Sequence, residues 1–211
     1  MGKSGSGKTT LVVQLINERF RYDYGRFYAV CPTFYIQDTF KPIRDLFRRE
    51  DVYLKPDLKS IKKLLGEIQG FAEYCQYKGL PVPKSLVLFD DMSGSSLIHG
   101  CRKGIFAEFA VASRHWGASV IMISHQPQNV DPNYRDNCEE IIVFPSERQA
   151  DHDWIKNNYD ASINKRNLMD KLEVAWKGGV NKEEWGEHFF FLHTAHREKS
   201  RFFIDFNKEL K

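Results

Sequence analysis

The residues best suited to chemistry come at the start of the sequence, where Gly2, Gly7, Lys8 and Thr9 fall in the spacing GxxxxGK[ST] within the run GKSGSGKTT. Each residue type has its own task in holding a polyphosphate. Glycines adopt positive φ and let the backbone come close to phosphate oxygens, so that successive N–H groups and the start of a following helix face the anion. A lysine at position 8 reaches β and γ phosphates, and a threonine hydroxyl at position 9 binds magnesium. Gly2, Lys3, Ser4, Gly5, Ser6, Gly7, Lys8, Thr9 and Thr10 are therefore the expected binding residues for ATP.

A second constellation, LVLFDDM over Leu86–Met92, sets two carboxylates directly after an apolar run. An α/β sheet presents its ligands at that end of a strand. Asp90 is expected to hold magnesium together with Thr9, usually through the metal's waters, and Asp91 to position or deprotonate the attacking water. Ser124, His125 and Gln126 follow the apolar run VIMI, and Gln126 is the candidate sensor able to hydrogen-bond water and γ phosphate together. Phosphoryl transfer also gains from an added cation, often an arginine of a neighbouring subunit. Either Arg114 or Arg135 could serve.

Placing these groups requires a layered α/β domain. From Thr9 to Phe20 the apolar residues Leu11, Val12, Leu15, Ile16 and Phe20 recur at helical spacing, so the glycine-rich run opens a helix. RFYAVC, ending at Pro32, reads as a strand, and Phe40 to Lys78 as helical patterning interrupted near Pro56. LVLF, VIMI and IIVF are short continuous apolar runs, the pattern of parallel strands covered on both faces. Gly104 to His115 reads as a crossover helix. Beyond it come a helix around Leu168 to Lys177 and an antiparallel pair, HFFFLHT and RFFIDF. A loop of this phosphate-binding type normally follows a buried central strand, yet only Met1 precedes Gly2. Either that first strand is missing or another segment fills its slot.

The 211 residues suit one domain, read as an ATPase core over about 1–146 with an appendage over about 147–211. No apolar run reaches the ~18 residues of a membrane span, and the four cysteines lack the pairing of a zinc site, which fits free thiols in a reducing, intracellular compartment. A formal net charge of only +3 means that any surface for nucleic acid must be local.

GKSGSGKT, YAVCPT, LVLFDDM, SRHWGASVIMISHQ and YRDNCEEIIVF occur in an order that resembles the genome-packaging ATPases of large and mid-sized DNA viruses and virophages, in the poxvirus-type branch of the FtsK/HerA superfamily. The likeness spans Gly2 to Phe144. It implies a RecA-like sheet and a homo-oligomeric ring, hexameric or pentameric, that drives double-stranded DNA into a preformed capsid, with capsid proteins as further partners in the infected cell or the virion. Two other readings fit the same motifs. One is a replication helicase or DNA-transfer coupling protein, marked by single-strand preference and strand separation. The other is an assembly scaffold, marked by tight ATP binding without turnover.

Overall fold

The computed structural model describes residues 1, 5–91, 109, 111–126, 130, 137–146, 148–159, 172, 175, 191–194, 201–204 and 208–210. The chain divides into two compact units, one of Met1–Lys8, His125–Gln128 and Cys138–Lys211, the other of Thr9–Ser124 and Asn129–Asn137.

The second unit is built on a four-stranded parallel sheet. Its strands are β1 (Arg26–Val30), β2 (Phe47–Tyr53), β3 (Ser85–Phe89) and β4 (Ala118–Met122), in the order β2-β1-β3-β4. Alternate side chains on a strand point to opposite faces. Phe27, Ala29, Leu86 and Leu88 accordingly join one core with Val12, Val13 and Ile16 of helix α1 (Lys8–Leu15, continued by a π turn over Ile16–Phe20). Tyr28, Val30, Val87 and Phe89 join the other with Ile61, Leu64, Leu65 and Ile68 of helix α2 (Leu58–Tyr77). In β1 and β3, where both faces are covered, there is no polar alternation, which is why they read as near-continuous apolar runs. The crossover helix expected over 104–115 falls largely outside the described residues. Phe109, Val111 and Ala112 are helical, and a 3-10 turn over Ser113–Trp116 leads into β4.

The first half of the helical reading of 40–78 is corrected. Asp38–Leu46 is a 3-10 helix and Phe47–Tyr53 is the edge strand β2, with only Leu58–Tyr77 in α2. The charged centre of β2 hides it in the sequence. Its partner register jumps from Phe27↔Phe47 to Ala29↔Val52, so Arg48, Arg49 and Glu50 bulge into solvent. Asp51 turns inward instead, 1% exposed, where Arg26 donates to it from two nitrogens at 3.0 and 2.7 Å. That fork also pushes the Arg26 guanidinium pKa up, through the hydrogen bond to Asp51 first.

Helix α2 begins at Asp57, whose carboxylate accepts from Ser60 N at 2.7 Å, an N-cap that holds its pKa below the ordinary value. Gly66 and Gly70 lie on its outer face, and a Cβ at either would meet nothing within 4 Å. Glycine inside a helix costs about 0.5–1 kcal/mol relative to alanine. Gly66→Ala or Gly70→Ala is therefore expected to raise stability by about that amount, a Tm gain of roughly 1–4 °C by calorimetry. An unchanged or lower Tm would mean that these positions serve a contact.

The first unit carries an antiparallel sheet, β5 (Glu140–Val143), β6 (Phe191–Thr194), β7 (Arg201–Ile204) and β8 (Lys208–Leu210), and the helix α3 (Gln149–Tyr159). The expected β6–β7 pair is present, extended by β8. The parallel reading of IIVF is corrected in part, because β5 runs antiparallel to β6. An apolar run reports burial and not strand direction. On β5, Met1 makes the two bonds of a parallel rung, its amine donating to Ile142 O at 2.6 Å and its carbonyl accepting from Phe144 N at 2.8 Å. Burial, then the charge of Lys8, lowers that amine's pKa to about 5. Leu172 and Ala175, within the helix expected over 168–177, are helical and buried.

Candidate functional site

The register of the parallel sheet aligns its carboxyl ends. Val30 faces Phe89 across the β1–β3 pair, and Asp90 N donates to Val30 O at 3.1 Å. Directly beyond, the Asp90 carboxylate uses both oxygens. Thr9 Oγ1 donates to Oδ2 at 3.2 Å and Asp91 N donates to Oδ1 at 2.8 Å. A hydroxyl in the first turn of α1 and a carboxylate at the end of β3 thus converge from positions far apart in sequence. Asp90 is 3% exposed, so its charge is held in low dielectric and responds strongly to a nearby cation.

Asp91 has φ 53°, the left-handed region in which a non-glycine residue is strained. Strain of this kind costs on the order of 1–3 kcal/mol and persists where surrounding bonds fix it. Here the fixing bond is the one from Asp91 N to its own neighbour's carboxylate. The Asp91 side chain is half-buried.

Sequence reading missed the turn after β1. Cys31 N donates to Tyr53 O at 3.0 Å, and the Cys31 sulfur lies 3.5 Å from Thr33 Oγ1. Buried Phe34 anchors the turn, stacked on Phe40 with centroids 5.0 Å apart, while Arg44 donates to the carbonyls of Phe34, Tyr35 and Gln37. The available signal was YAVCPT itself, a strand followed at once by polar groups. Burial raises the Cys31 thiol to about 11, the charges of Asp90 and Asp91 act in the same direction, and the Thr33 hydroxyl opposes them. Cys31 is 0% exposed. It is expected to resist iodoacetamide at pH 8 in the native protein and to react once unfolded, read by mass spectrometry. Rapid native alkylation would contradict this burial.

The remaining expected residues are placed as follows. Gly2, Lys3, Ser4 and Arg135 lie outside the described residues. In the first unit, Gly5 and Gly7 have φ 77° and 85°, the conformations for which glycine was expected. Lys8 is 5% exposed, its ammonium donating to Ser6 Oγ at 3.4 Å. Gln126 is half-buried in the same unit. In the second unit, Thr10 is exposed on α1, and Arg114 is exposed on the 3-10 turn before β4.

In the first unit, glycines with positive φ lead up to a helix that opens at Lys8, the form of a phosphate-binding P-loop; in the second, Thr9 and Asp90 meet at the end of a parallel sheet. The chain belongs to the Poxvirus A32 protein family, whose profile matches residues 1–184. No curated protein matches it by sequence. Among solved structures, it is similar to the genome packaging NTPase B204 of Sulfolobus turreted icosahedral virus 2 in complex with AMPPCP, at 13% identity and TM-score 0.63, over 95% of this chain and 93% of that one. B204, the DNA-packaging ATPase of Sulfolobus turreted icosahedral virus, matches at 14% identity and TM-score 0.63 over the same shares, 95% and 93%. EssC (ATPases 2 and 3) of Geobacillus thermodenitrificans matches at 18% identity and TM-score 0.51, over 67% of this chain and 30% of that one. At such identities the likeness is one of fold.

Proposed function

We propose that the protein hydrolyses ATP to translocate double-stranded DNA, packaging a viral genome into a capsid. The observation that carries the ATPase reading is the bond from Thr9 Oγ1 to Asp90 Oδ2, which brings together the two oxygen donors this chemistry needs. Membership of the Poxvirus A32 family and the fold shared with packaging ATPases support the rest.

Two hard oxygen donors within hydrogen-bond distance suit magnesium, which prefers oxygen ligands and keeps several of its waters. Thr9 and Asp90 would hold it. When bound, the ion neutralises charge on the phosphate oxygens. The glycine loop's N–H groups and the Lys8 ammonium bind and orient the triphosphate. Asp91, at the left-handed turn that follows β3, accepts the proton of the attacking water or holds that water in line. Gln126 hydrogen-bonds the γ phosphate and the water. Arg114 or Arg135, supplied by a neighbouring subunit of a hexameric or pentameric ring, stabilises the transition-state charge. Double-stranded DNA is the polymer moved and capsid proteins are the docking partners. Among the described residues no helix is long and apolar enough to cross a membrane. Membership of the Poxvirus A32 family supports a place in the infected cell or the virion, and the free thiols of Cys31 and Cys75 a reducing compartment.

Purified protein is expected to hydrolyse ATP, and duplex DNA to raise the rate several-fold in the oligomeric fraction. Hydrolysis indifferent to duplex DNA and to oligomer formation contradicts the motor reading. Preference for single strands with strand separation selects a helicase, and tight binding without turnover selects a scaffold.

A further inference from the structure

The chain's formal net charge is +3, and residues 54–63, LKPDLKSIKK, carry four lysines against one aspartate. The whole positive excess is therefore matched by one ten-residue segment. Lys55, Lys59, Lys62 and Lys63 are all exposed. Lys59, Lys62 and Lys63 share the outer face of α2, opposite the buried Ile61, Leu64, Leu65 and Ile68. Asp57, the one acid in the segment, is committed to capping the helix through Ser60 N. Lys63 pairs with Glu67 at 3.7 Å, and among the described residues Lys55, Lys59 and Lys62 form no such pair.

Where this segment leaves the sheet matters as much as its charge. Val30 is level with both Tyr53 and Phe89, so the chain leaves β2 toward Lys55 at the same edge where β3 gives way to Asp90. With β1 between them, the two exits are two strand spacings apart, about 10 Å. Backbone bonds span that gap, from Cys31 N to Tyr53 O and from Asp90 N to Val30 O. A polyanion on the lysines would lie beside the carboxylates of the nucleotide site and be joined to them by a rigid ladder.

We infer that Lys55, Lys59 and Lys62 form a contact surface for the phosphate backbone of duplex DNA. This rests on the motor reading above and supplies a place for its substrate. Lysine ammonium groups on flexible stems meet phosphates as point charges, without reading base sequence, as a motor that moves along any sequence requires.

The test is binding of a labelled duplex to the full chain, by fluorescence anisotropy from 50 to 200 mM salt, for the wild type, the triple variant Lys55→Gln, Lys59→Gln, Lys62→Gln, and the matching triple arginine variant. Each lost phosphate contact lowers the slope of log K against log salt by about 0.9, so the glutamine variant is expected to lose roughly 2–3 units of slope. Over that range salt would then weaken the wild type about 40-fold more than the variant. ATP hydrolysis without DNA should be unchanged, its stimulation by duplex lost, and both restored by arginine. A glutamine variant with wild-type affinity and slope overturns the assignment and leaves the motor reading standing. A wild type that binds no duplex overturns both. Loss of the oligomer in the glutamine variant also overturns the assignment, because the lysines would then face an acidic surface of a second copy.

Discussion

Asp91→Asn is expected to lower kcat for ATP hydrolysis by roughly 100- to 10,000-fold, the usual contribution of a positioned general base. Nucleotide affinity should stay within a few-fold of wild type. The choice of asparagine follows from the backbone. At φ 53° Asp91 occupies a region that asparagine tolerates and most other side chains do not, and its N–H, which holds Asp90 Oδ1, survives the change. Asp91→Gly relieves the strain while removing the same carboxylate, so it should lose activity to the same degree. The two variants together separate chemistry from folding. Steady-state turnover and equilibrium binding of a non-hydrolysable analogue check the prediction, and a wild-type rate in either variant would show that Asp91 is not the base.

Thr9→Val and Asp90→Asn should fail differently. Each removes one member of the oxygen pair, and in magnesium each is expected to weaken ATP binding by roughly 10- to 100-fold, as loss of a group that orients a metal's ligands does. In excess chelator the same substitutions should change affinity little, since in the proposed site the loop amides and Lys8 bind the phosphates without the metal. Valine matches threonine in shape, so the packing of α1 on Phe27 and Leu86 is kept. Thermal shift with and without magnesium reads the effect, since a ligand that binds the native state raises its stability in proportion to its affinity. Equal losses in magnesium and in chelator would mean that Thr9 and Asp90 serve only the fold.

Much of this arrangement was legible in the sequence, because it depends on local rules. The glycines at 5 and 7 adopt positive φ as the loop requires, α1 follows from apolar spacing, and β1 and β3 show the near-unbroken hydrophobicity of strands buried on both faces. That β3 stops just before Asp90 and Asp91 was legible because a buried strand ends where its apolar run does. What escaped depends on tertiary contact. FRREDVY has the charge of a helix surface, and its strand is held by contacts distant in sequence: pairing with β1, and the bonds from Arg26 to Asp51. The direction of β5 depends on its partner β6, some 50 residues later, and no local signal encodes it. The turn at Cys31 and Thr33 gains its position from Val30 lying level with Phe89, a register that one strand alone does not specify.

In the proposed mechanism the Thr9 hydroxyl and the Asp90 carboxylate act on the same metal ion. A double-mutant cycle on ATP binding, with Thr9→Val, Asp90→Asn and the pair together, measures this in magnesium and in chelator. Groups that share a ligand are expected to be non-additive by about 0.5–3 kcal/mol in magnesium, falling to nearly zero when the metal is removed. Additive losses in magnesium, or a coupling that persists in chelator, would contradict it.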